Sequence, residues 1–178
     1  MKLIFQPLPG VSVLQPFAQR DHRGDFVKPF HEEQLAQHGI EMHVREEFYS
    51  TSQAGVLRGM HFQLPPFAHQ KLIYCIAGRV LDVLLDLRKA SPTYGQSAQV
   101  ELSADNHHVL HIPVGFAHGF LSLEADSCLI YKTDALHSPS HDAGVLWNSF
   151  GLSWPFDNPT ISNRDAALSP LGEFNSPF

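Results

Sequence analysis

The sequence predicts a single all-β domain, an antiparallel sandwich or barrel, in a chain of 178 residues. From Met42 onward, short runs rich in Val, Ile, Leu, Tyr and Phe are broken by Gly, Pro, Ser and Asn, as in strands joined by turns. Only His31 to His38 has a clear helical character, and this segment is short and mostly polar. The hydrophobic content of 43% allows a sizeable core, and no repeat or linker divides the chain.

Charge and hydropathy argue against several classes of partner. The formal net charge of -6 and the pI near 6.0 give no electrostatic basis for binding nucleic acid or an anionic membrane. No apolar run has the length of a signal peptide core or a transmembrane helix, so we expect no membrane association and a cytoplasmic location. Cys75 and Cys128 lie in apolar runs without metal-ligand spacing, which predicts buried free thiols.

Residues 1–30 are expected to form an N-terminal arm and the first strands. The proline-punctuated stretch through Phe17 is typical of an edge strand or an arm, because proline cannot donate to a central ladder. A charged turn, Arg20 to Asp25, precedes a strand predicted over Phe26 to Phe30. In this turn, Arg23 is either a phosphate ligand or a solvated turn residue.

Residues 42–148 are predicted to form the barrel, and residues 149–178 to wrap around it. The sharpest alternation is Val80 to Leu87, where one face is apolar and the other carries Asp82 and Asp86. Because buried carboxylates need partners, this second face is expected to line a polar cavity.

The stretch Gly55 to Gln63 carries the first candidate site residues. On a regular strand, Arg58 and His61 would face opposite sides. A twist or bulge at Gly59 would turn both toward one cavity, where a guanidinium suits a phosphate or enolate and an imidazole suits a general base. The alternative is a surface arginine and a hydrogen-bonded strand histidine.

Later stretches add further candidates. Pro113 to Phe120 contains a Pro-x-Gly turn that leads into a strand bearing His118, with a glycine beside it. Tyr131 is either a proton donor on a wall of the same cavity or a structural tyrosine at its rim. The tail from Trp147 is expected to bring Arg164-Asp165 back toward the site.

The Pro-x-Gly-x-x-His element, Pro113 to His118, resembles the second motif of cupins, which are double-stranded β-helix barrels. Metal-binding cupins also carry a His-x-His pair followed by an acid on an earlier strand. Here His61 is followed by Phe62 and Gln63, and no Glu lies at ligand spacing, so we expect no catalytic metal.

More specifically, the chain from Phe17 to Asp165 is similar to the dTDP-4-dehydrorhamnose 3,5-epimerases, a metal-free cupin-fold family that acts on nucleotide-linked 4-keto-6-deoxy sugars. The likeness depends on an ordered set of motifs. These are Asp21–Phe26, Val56–Gln63, Lys71–Ile73, Asp82-Val83 with Asp86–Arg88, Ser91–Gly95, Ile112–Phe120, Tyr131-Lys132, Trp147-Asn148 and Trp154-Pro155. The resemblance implies a cupin-like jelly-roll barrel with a short helix and a C-terminal wrapping segment, no cofactor, and a homodimer.

The resemblance also implies an acid–base mechanism. A C4 ketone acidifies the hydrogens on C3 and C5, so a base can remove one to give an enolate, and an acid on the opposite face can return it with inversion. By resemblance, His61 is the base, Asp165 holds its tautomer, and Tyr131 is the acid.

Further roles are implied for residues around the sugar and the diphosphate. Lys71 would stabilise the enolate oxygen, and His118, oriented by Asp82, would hold the sugar or that oxygen. Arg58 and Arg23 would hold the diphosphate, with Arg23 reaching in from a partner subunit. The full set of implied substrate-binding residues is Arg23, Phe26, Lys28, Glu46, Phe48, Arg58, Gln63, His137 and Arg164.

Four positions depart from the family pattern. Lys28 stands where a Glu is usual, Glu46 and Phe48 replace a Gln and an Asn, and His137 stands where double epimerases commonly have a second tyrosine. Lys28 and Glu46 either pair with each other or contact the nucleotide base. Recognition of dTDP or CDP, and inversion at C3, C5 or both, therefore stay open.

The leading prediction is an epimerase of a nucleotide-linked 4-keto-6-deoxyhexose, foremost dTDP-4-dehydro-6-deoxyglucose to dTDP-4-dehydrorhamnose, in rhamnose and lipopolysaccharide synthesis. The alternatives are a single-carbon epimerase of a CDP- or dTDP-sugar, a cupin that binds a nucleotide sugar without turnover, and a metal-dependent oxygenase. Pure binding requires no acid and base on opposite faces, which favours the epimerase.

Overall fold

Thirteen strands and three short helical segments make up the computed structural model, which describes residues 1–178. The strands are β1 (Lys2–Phe5), β2 (Ser12–Gln15), β3 (Phe17–Asp21), β4 (Gly24–Lys28), β5 (Glu46–Ser52), β6 (Leu57–Gln63), β7 (Lys71–Ala77), β8 (Arg79–Asp86), β9 (Ser97–Ser103), β10 (Val109–Ile112), β11 (Phe116–Ser122), β12 (Ser127–Thr133) and β13 (Asp142–Gly144). The helices are α1 (Glu32–Ala36), α2 (Asn163–Ala166) and a 3-10 turn at Leu171–Glu173.

The strands form two large antiparallel sheets and one separate hairpin. The six-stranded sheet has the order β1-β2-β10-β7-β12-β5, and the five-stranded sheet has the order β13-β6-β11-β8-β9. Strands β3 and β4 form the hairpin. Neighbours in each large sheet are mostly distant in sequence, as in a jelly roll, which confirms the predicted all-β barrel. No helix is long and apolar enough to cross a membrane.

The main core lies between the two large sheets. Ile73 and Leu110 of the six-stranded sheet pack with Val80, Leu84 and Phe120 of the five-stranded sheet, and all five are almost fully buried. The predicted alternation of β8 is confirmed, because Val80 and Leu84 face this core while Val83 and Leu85 pack on the opposite face of the sheet. Burial of these side chains is the principal source of stability for the barrel.

The C-terminal segment covers the outer face of the five-stranded sheet. Met60, Val83 and Leu85 point away from the barrel interior and are buried by a set of aromatic and aliphatic side chains. That set is Phe150, Leu152, Trp154, Leu171, Phe174 and Phe178. The predicted C-terminal wrapping segment is thereby confirmed.

Helix α1 covers part of the other sheet. Its single buried residue, Leu35, packs with Leu14, Leu72 and Val109 on the six-stranded sheet. The helix is one turn shorter than the predicted segment, and Gly39 follows it with a φ of 72°, a conformation that glycine adopts without strain.

Two predictions for the first half of the chain are wrong, one in the number of strands and one in where a strand ends. The N-terminal stretch contains an edge strand, β1, but β2 lies between β1 and β10 because Val13 and Leu14 enter the core. The strand predicted over Phe26 to Phe30 ends at Lys28, immediately before a proline. Cys75 is a buried free thiol as predicted, whereas Cys128 is only half-buried.

Asp86 does not line a polar cavity, contrary to the prediction. It lies at the end of β8, where Arg88 donates to both carboxylate oxygens at 2.9 and 2.7 Å, and Ser91 and Thr93 each donate at 2.7 Å. Burial acts to raise the pKa of Asp86, but these hydrogen bonds outweigh it and lower the pKa to about 2. Asp86 is therefore an ionised anchor for the loop that follows β8.

Candidate active site

A cavity of about 730 Å³ opens between the two large sheets and is partly covered by the C-terminal segment. Eleven of the fifteen predicted site residues line it. They are Glu46, Phe48, Arg58, His61, Gln63, Lys71, His118, Tyr131, His137, Arg164 and Asp165. Of the others, Asp82 lies behind His118, and three lie on the β3–β4 hairpin.

A bulge in β6 directs Arg58 and His61 into this cavity. His61 pairs with His118 and Arg58 pairs with Phe120, so three steps along β6 oppose two along β11. Gly59 supplies the extra residue, with a φ of 142°. A Cβ at Gly59 would lie 2.5 Å from the Cα of Gly119, so no other residue fits this approach. The predicted irregularity at Gly59 is confirmed.

The imidazole of His61 is held by a buried carboxylate. Its Nε2 lies 2.7 Å from Oδ1 of Asp165, whose Oδ2 accepts from the backbone N–H of Gly59 at 3.2 Å. Burial acts to raise the pKa of Asp165, but the hydrogen bonds from His61, Gly59 and Ser162 outweigh it and keep that pKa below its usual value. The ionised carboxylate accepts the Nε2–H, which leaves Nδ1 of His61 as the basic nitrogen.

A second histidine–carboxylate pair lies deeper in the barrel. Nε2 of His118 is 2.8 Å from Oδ2 of Asp82, and both side chains are buried. Burial raises the pKa of Asp82 and lowers the pKa of His118, although each partner acts against the shift of the other. Both shifts favour a pair that shares one proton, with the ring of His118 fixed in orientation.

Lys71 and Tyr131 present two further donors. Nζ of Lys71 donates to the backbone carbonyl of His61 at 3.2 Å, and burial lowers its pKa to about 8. The Tyr131 hydroxyl lies 3.4 Å from Oγ of Ser50, and its ring stacks on Phe48 with centroids 4.8 Å apart. Burial raises the pKa of Tyr131 above its usual value, so the phenol stays protonated.

These groups stand on facing walls of the cavity. His61 is on β6 of the five-stranded sheet, whereas Lys71 and Tyr131 are on β7 and β12 of the six-stranded sheet. The rings of His118 and Tyr131 meet edge to face across the interior, with centroids 6.1 Å apart. A ring bound between the sheets would have the imidazole of His61 on one side and the phenol of Tyr131 on the other.

Polar and charged side chains surround the rest of the cavity. Arg58 is held by Oγ of Ser52 at 3.1 Å and by the carbonyl of Thr51 at 3.0 Å. Arg164 forms an ion pair with Asp142 at 2.9 Å. Both guanidinium groups line the cavity, so an acidic chain nevertheless offers a local anion site.

The two charged departures from the family pattern, Lys28 and Glu46, do not pair with each other within the chain. Oε2 of Glu46 accepts the backbone N–H of His137 at 2.6 Å, whereas Nζ of Lys28 lies 5.7 Å from the ring centroid of Phe26. Lys28, Phe26 and Arg23 are on the β3–β4 hairpin, and Arg23 is paired with Asp21. The hairpin therefore contributes nothing to the cavity of its own chain.

Sequence reasoning missed several residues that shape the site. Ser50 contacts Tyr131, Asp142 holds Arg164, and His69 lines the cavity beside Lys71. Ser162 caps α2 by accepting the N–H of Asp165 at 3.1 Å. Only this last residue had a local signal, a serine three positions before an acid, which is typical of a helix start. No group of three or more His, Cys, Asp or Glu side chains is placed to hold a metal ion.

A two-sheet barrel with a His–Asp pair facing a buried tyrosine defines a jelly-roll protein with an acid–base site. Comparison with known proteins defines the group further. A family model described as dTDP-4-dehydrorhamnose 3,5-epimerase matches residues 6–173. The chain belongs to this family.

Named relatives and solved structures are similar to this protein over nearly the whole chain. The dTDP-4-dehydrorhamnose 3,5-epimerase of Salmonella typhimurium is 40% identical in an alignment 177 positions long that covers 97% of each chain. The crystal structure of the Bacillus anthracis enzyme with TDP and PPi bound superposes with a TM-score of 0.93 at 39% identity, over 96% of this chain and 99% of that one. The Legionella pneumophila dTDP-6-deoxy-D-glucose-3,5-epimerase, in complex with dTDP-4-keto-L-rhamnose, has a TM-score of 0.93 at 32% identity, over 98% and 94% of the chains.

Proposed function

We propose that this protein inverts C3, C5 or both in a nucleotide-linked 4-keto-6-deoxyhexose, with dTDP-4-dehydro-6-deoxyglucose as substrate and dTDP-4-dehydrorhamnose as product. The observation that carries the proposal is the His61–Asp165 pair facing Tyr131 across one cavity. The names of the relatives support the same reaction.

Proton abstraction is assigned to His61. Its Nδ1 takes the proton from C3 or C5, and the electrons of the broken C–H bond move to the C4 oxygen, which becomes an enolate. Asp165 accepts the Nε2–H and stabilises the imidazolium that forms. Lys71, with a pKa of about 8, is mainly charged at neutral pH and stabilises the enolate oxygen.

Reprotonation is assigned to Tyr131. The phenol donates its proton to the same carbon from the opposite face, which inverts the configuration and restores the C4 ketone. Its raised pKa makes the phenolate a strong base, so a proton from solvent restores the phenol rapidly. His61 releases its extra proton in the same way, and the enzyme needs no cofactor for this cycle.

Binding of the diphosphate is assigned to Arg58 in the cavity and to Arg23 of a second subunit. Arg23 is exposed on the hairpin and does not approach its own cavity. We propose a homodimer in which the hairpin, with Phe26 and Lys28, completes the nucleotide site of the partner. The cytoplasmic location and the role in lipopolysaccharide synthesis stay predictions.

The choice of nucleotide is a separate question, because Lys28 offers only donors and Glu46 only acceptors. We propose that the preference of the site for thymine over other bases is weakened, with CDP as a credible second ligand. Calorimetric titration with dTDP, CDP, UDP and GDP tests this. Comparable affinities for dTDP and CDP are expected, and a strong preference for dTDP would show that the substitutions leave base choice unchanged.

The reaction itself is tested by incubating the purified protein with candidate 4-keto sugars in deuterated water. Deuterium is expected at C3, at C5 or at both, and NMR identifies the carbon. Incorporation at one carbon only would identify a single-carbon epimerase. Absence of incorporation with every sugar that binds would instead indicate a protein that holds nucleotide sugars without turnover.

A further inference from the structure

His69 is a cavity residue that the proposed mechanism leaves without a role. It precedes β7 by two positions and lines the cavity together with Lys71. Gln70, between them, points the other way and bonds to Asp134 and His111. This alternation is that of an extended chain, so His69 and Lys71 present their side chains to the same side.

The amide of Gln63 determines which nitrogen of His69 carries the proton. Oε1 of Gln63 accepts the backbone N–H of Ser138 at 2.6 Å, and Nε2 lies 2.9 Å from the carbonyl of Phe67 and 3.3 Å from that of Leu136. An N–H can only donate and a carbonyl can only accept, so the backbone fixes the orientation of this amide.

The same amide nitrogen lies 3.0 Å from Nδ1 of His69. A hydrogen on Nδ1 would therefore point at another donor, and the contact of Nδ1 with the carbonyl of Phe67 is longer, at 3.3 Å. Nδ1 is consequently the acceptor, and the ring carries its hydrogen on Nε2. No protein group bonds to this second nitrogen, so its N–H is free to donate within the cavity.

We propose that His69 donates its Nε2–H to the C4 oxygen of the sugar, and that His69 and Lys71 together form a two-donor cradle for the enolate. This inference rests on the proposed epimerase function. A neutral imidazole is a suitable donor here, because it stabilises negative charge on the oxygen without transferring its own proton. Lys71 supplies a positive charge, and His69 supplies a hydrogen bond whose direction is fixed by the orientation of its ring.

The electrostatic surroundings keep His69 neutral. Burial and the nearby Lys71 lower its pKa to about 4, although the bond that the charged ring would donate to the Phe67 carbonyl, and the charges of Asp134 and Glu46, act in the opposite direction. Above pH 5 the ring is therefore uncharged, and its protonation state does not change over the range in which such an enzyme is assayed. The donor is present throughout that range.

The test compares His69→Phe, which keeps a ring but removes the donor, with His69→Gln, whose amide nitrogen still donates. His43→Phe is the matched control, because His43 is exposed and does not line the cavity. We expect kcat for deuterium exchange to fall by about tenfold to a hundredfold in His69→Phe, with KM changed much less. His69→Gln should restore most of the lost kcat, and the shape of the pH profile between pH 5 and 8 should not change.

A kcat of His69→Phe within twofold of the wild type would overturn the inference, as would a fall in His69→Gln equal to that in His69→Phe. Nitrogen-15 NMR of the wild-type protein gives an independent readout that does not depend on the folding of a variant, and protonation on Nδ1 would also overturn it. Wild-type protein without any exchange would contradict the proposed function, whereas exchange that is insensitive to His69 would contradict only this inference.

Discussion

At the scale of single residues, burial shifts the pKa values of the site's acids and bases in opposite directions. Burial raises the pKa of Tyr131 and lowers that of Lys71 to about 8. The first shift keeps a donor protonated, and the second makes a cation sensitive to mild alkali. Asp165 behaves differently, because its hydrogen bonds outweigh burial and keep it ionised. One cavity therefore holds a protonated phenol, an ionised carboxylate bonded to an imidazole, and a titratable cation.

Variants of His61 and Tyr131 should separate the two proton transfers. His61→Asn removes the basic nitrogen, so we expect exchange at every ring carbon to fall by at least about a thousandfold, with dTDP affinity nearly intact. Tyr131→Phe removes only the acid, so deuterium should still enter the substrate while net inversion falls. Proton NMR in deuterated water measures both quantities. Substantial activity in His61→Asn would exclude it as the base, and equal loss of exchange and inversion in Tyr131→Phe would assign that residue to enolate formation.

Lys71 should give the enzyme an alkaline limit near pH 8. Its cation is lost as pH rises through about 8, well below the ordinary lysine value of 10.5, so kcat should decline above that pH. The control is Tyr131→Phe, whose residual exchange should keep the same limit, because its remaining steps still depend on Lys71. A constant kcat up to pH 10 would show that the charge of Lys71 does not assist the reaction.

The same lysine should reduce the stability of the fold. Between about pH 8 and 10.5, the unfolded chain binds the Lys71 proton more tightly than the folded chain does, so stability from this group rises with pH over that window. Lys71→Met should therefore raise Tm at pH 7 by about 2 to 6 °C, while activity is lost. Thermal unfolding at pH 7 and pH 10 measures this, and a Tm difference that is smaller at pH 10 supports the explanation.

At the scale of elements, the contact between β6 and β11 is the feature that creates the site. The bulge at Gly59 and the close approach of Gly119 bring His61 beside His118 and allow Arg58 to share their cavity. Helix α2 contributes from the other end of the chain, because its capped first turn places Asp165 against β6. Three segments that are far apart in sequence thus define the position of one imidazole.

Gly59→Ala should disrupt this arrangement. The new Cβ would lie 2.5 Å from backbone of Gly119, at a φ that side-chain-bearing residues rarely adopt. We expect a loss of about 3 kcal/mol or more of unfolding free energy, together with loss of exchange activity. Gly172→Ala is the matched control, since a Cβ there meets nothing within 4 Å, and its effect should stay within about 0.5 kcal/mol. Urea unfolding measures both variants, and similar midpoints would contradict the packing argument.

The elements also show how much of the fold and of the site could be predicted from the sequence alone. The alternation of β8, the short helix before Gly39 and the bulge at Gly59 have local signals, and each was predicted. The motif resemblance located eleven lining residues, although their roles stay predictions. Asp142 and the link from Gln63 to His69 had no such signal, because they depend on which loops meet in space. Asp86 was misplaced because periodicity gives the face of a residue but not its partners.

At the scale of the whole molecule, the N-terminal region has the features of an interface. Phe17 and Phe26 on the hairpin are 51% and 57% exposed, and Leu3, Ile4 and Phe5 on the edge strand β1 are also exposed. Apolar side chains grouped in this way on one region favour contact with another protein. The hairpin is the part of the chain that carries predicted binding residues yet stays outside the cavity. A dimer that exchanges hairpins would account for both observations.

Mixing two inactive variants tests this arrangement. Arg23→Ala removes a phosphate ligand from the hairpin, and His61→Asn removes the base from the cavity, so each homodimer should be strongly impaired. If the hairpin serves the partner, a heterodimer of the two variants has one site with both residues intact and one site with neither. Random assembly after joint refolding makes half of the dimers mixed, so exchange activity should recover to about one quarter of the wild-type value. Recovery no greater than the sum of the separate variants would place Arg23 in its own subunit's site or outside catalysis altogether.

Two controls accompany the mixing experiment. Sedimentation equilibrium on the same samples checks that dimers form. Variants that are refolded separately and then combined without unfolding show how much activity arises from subunit exchange alone.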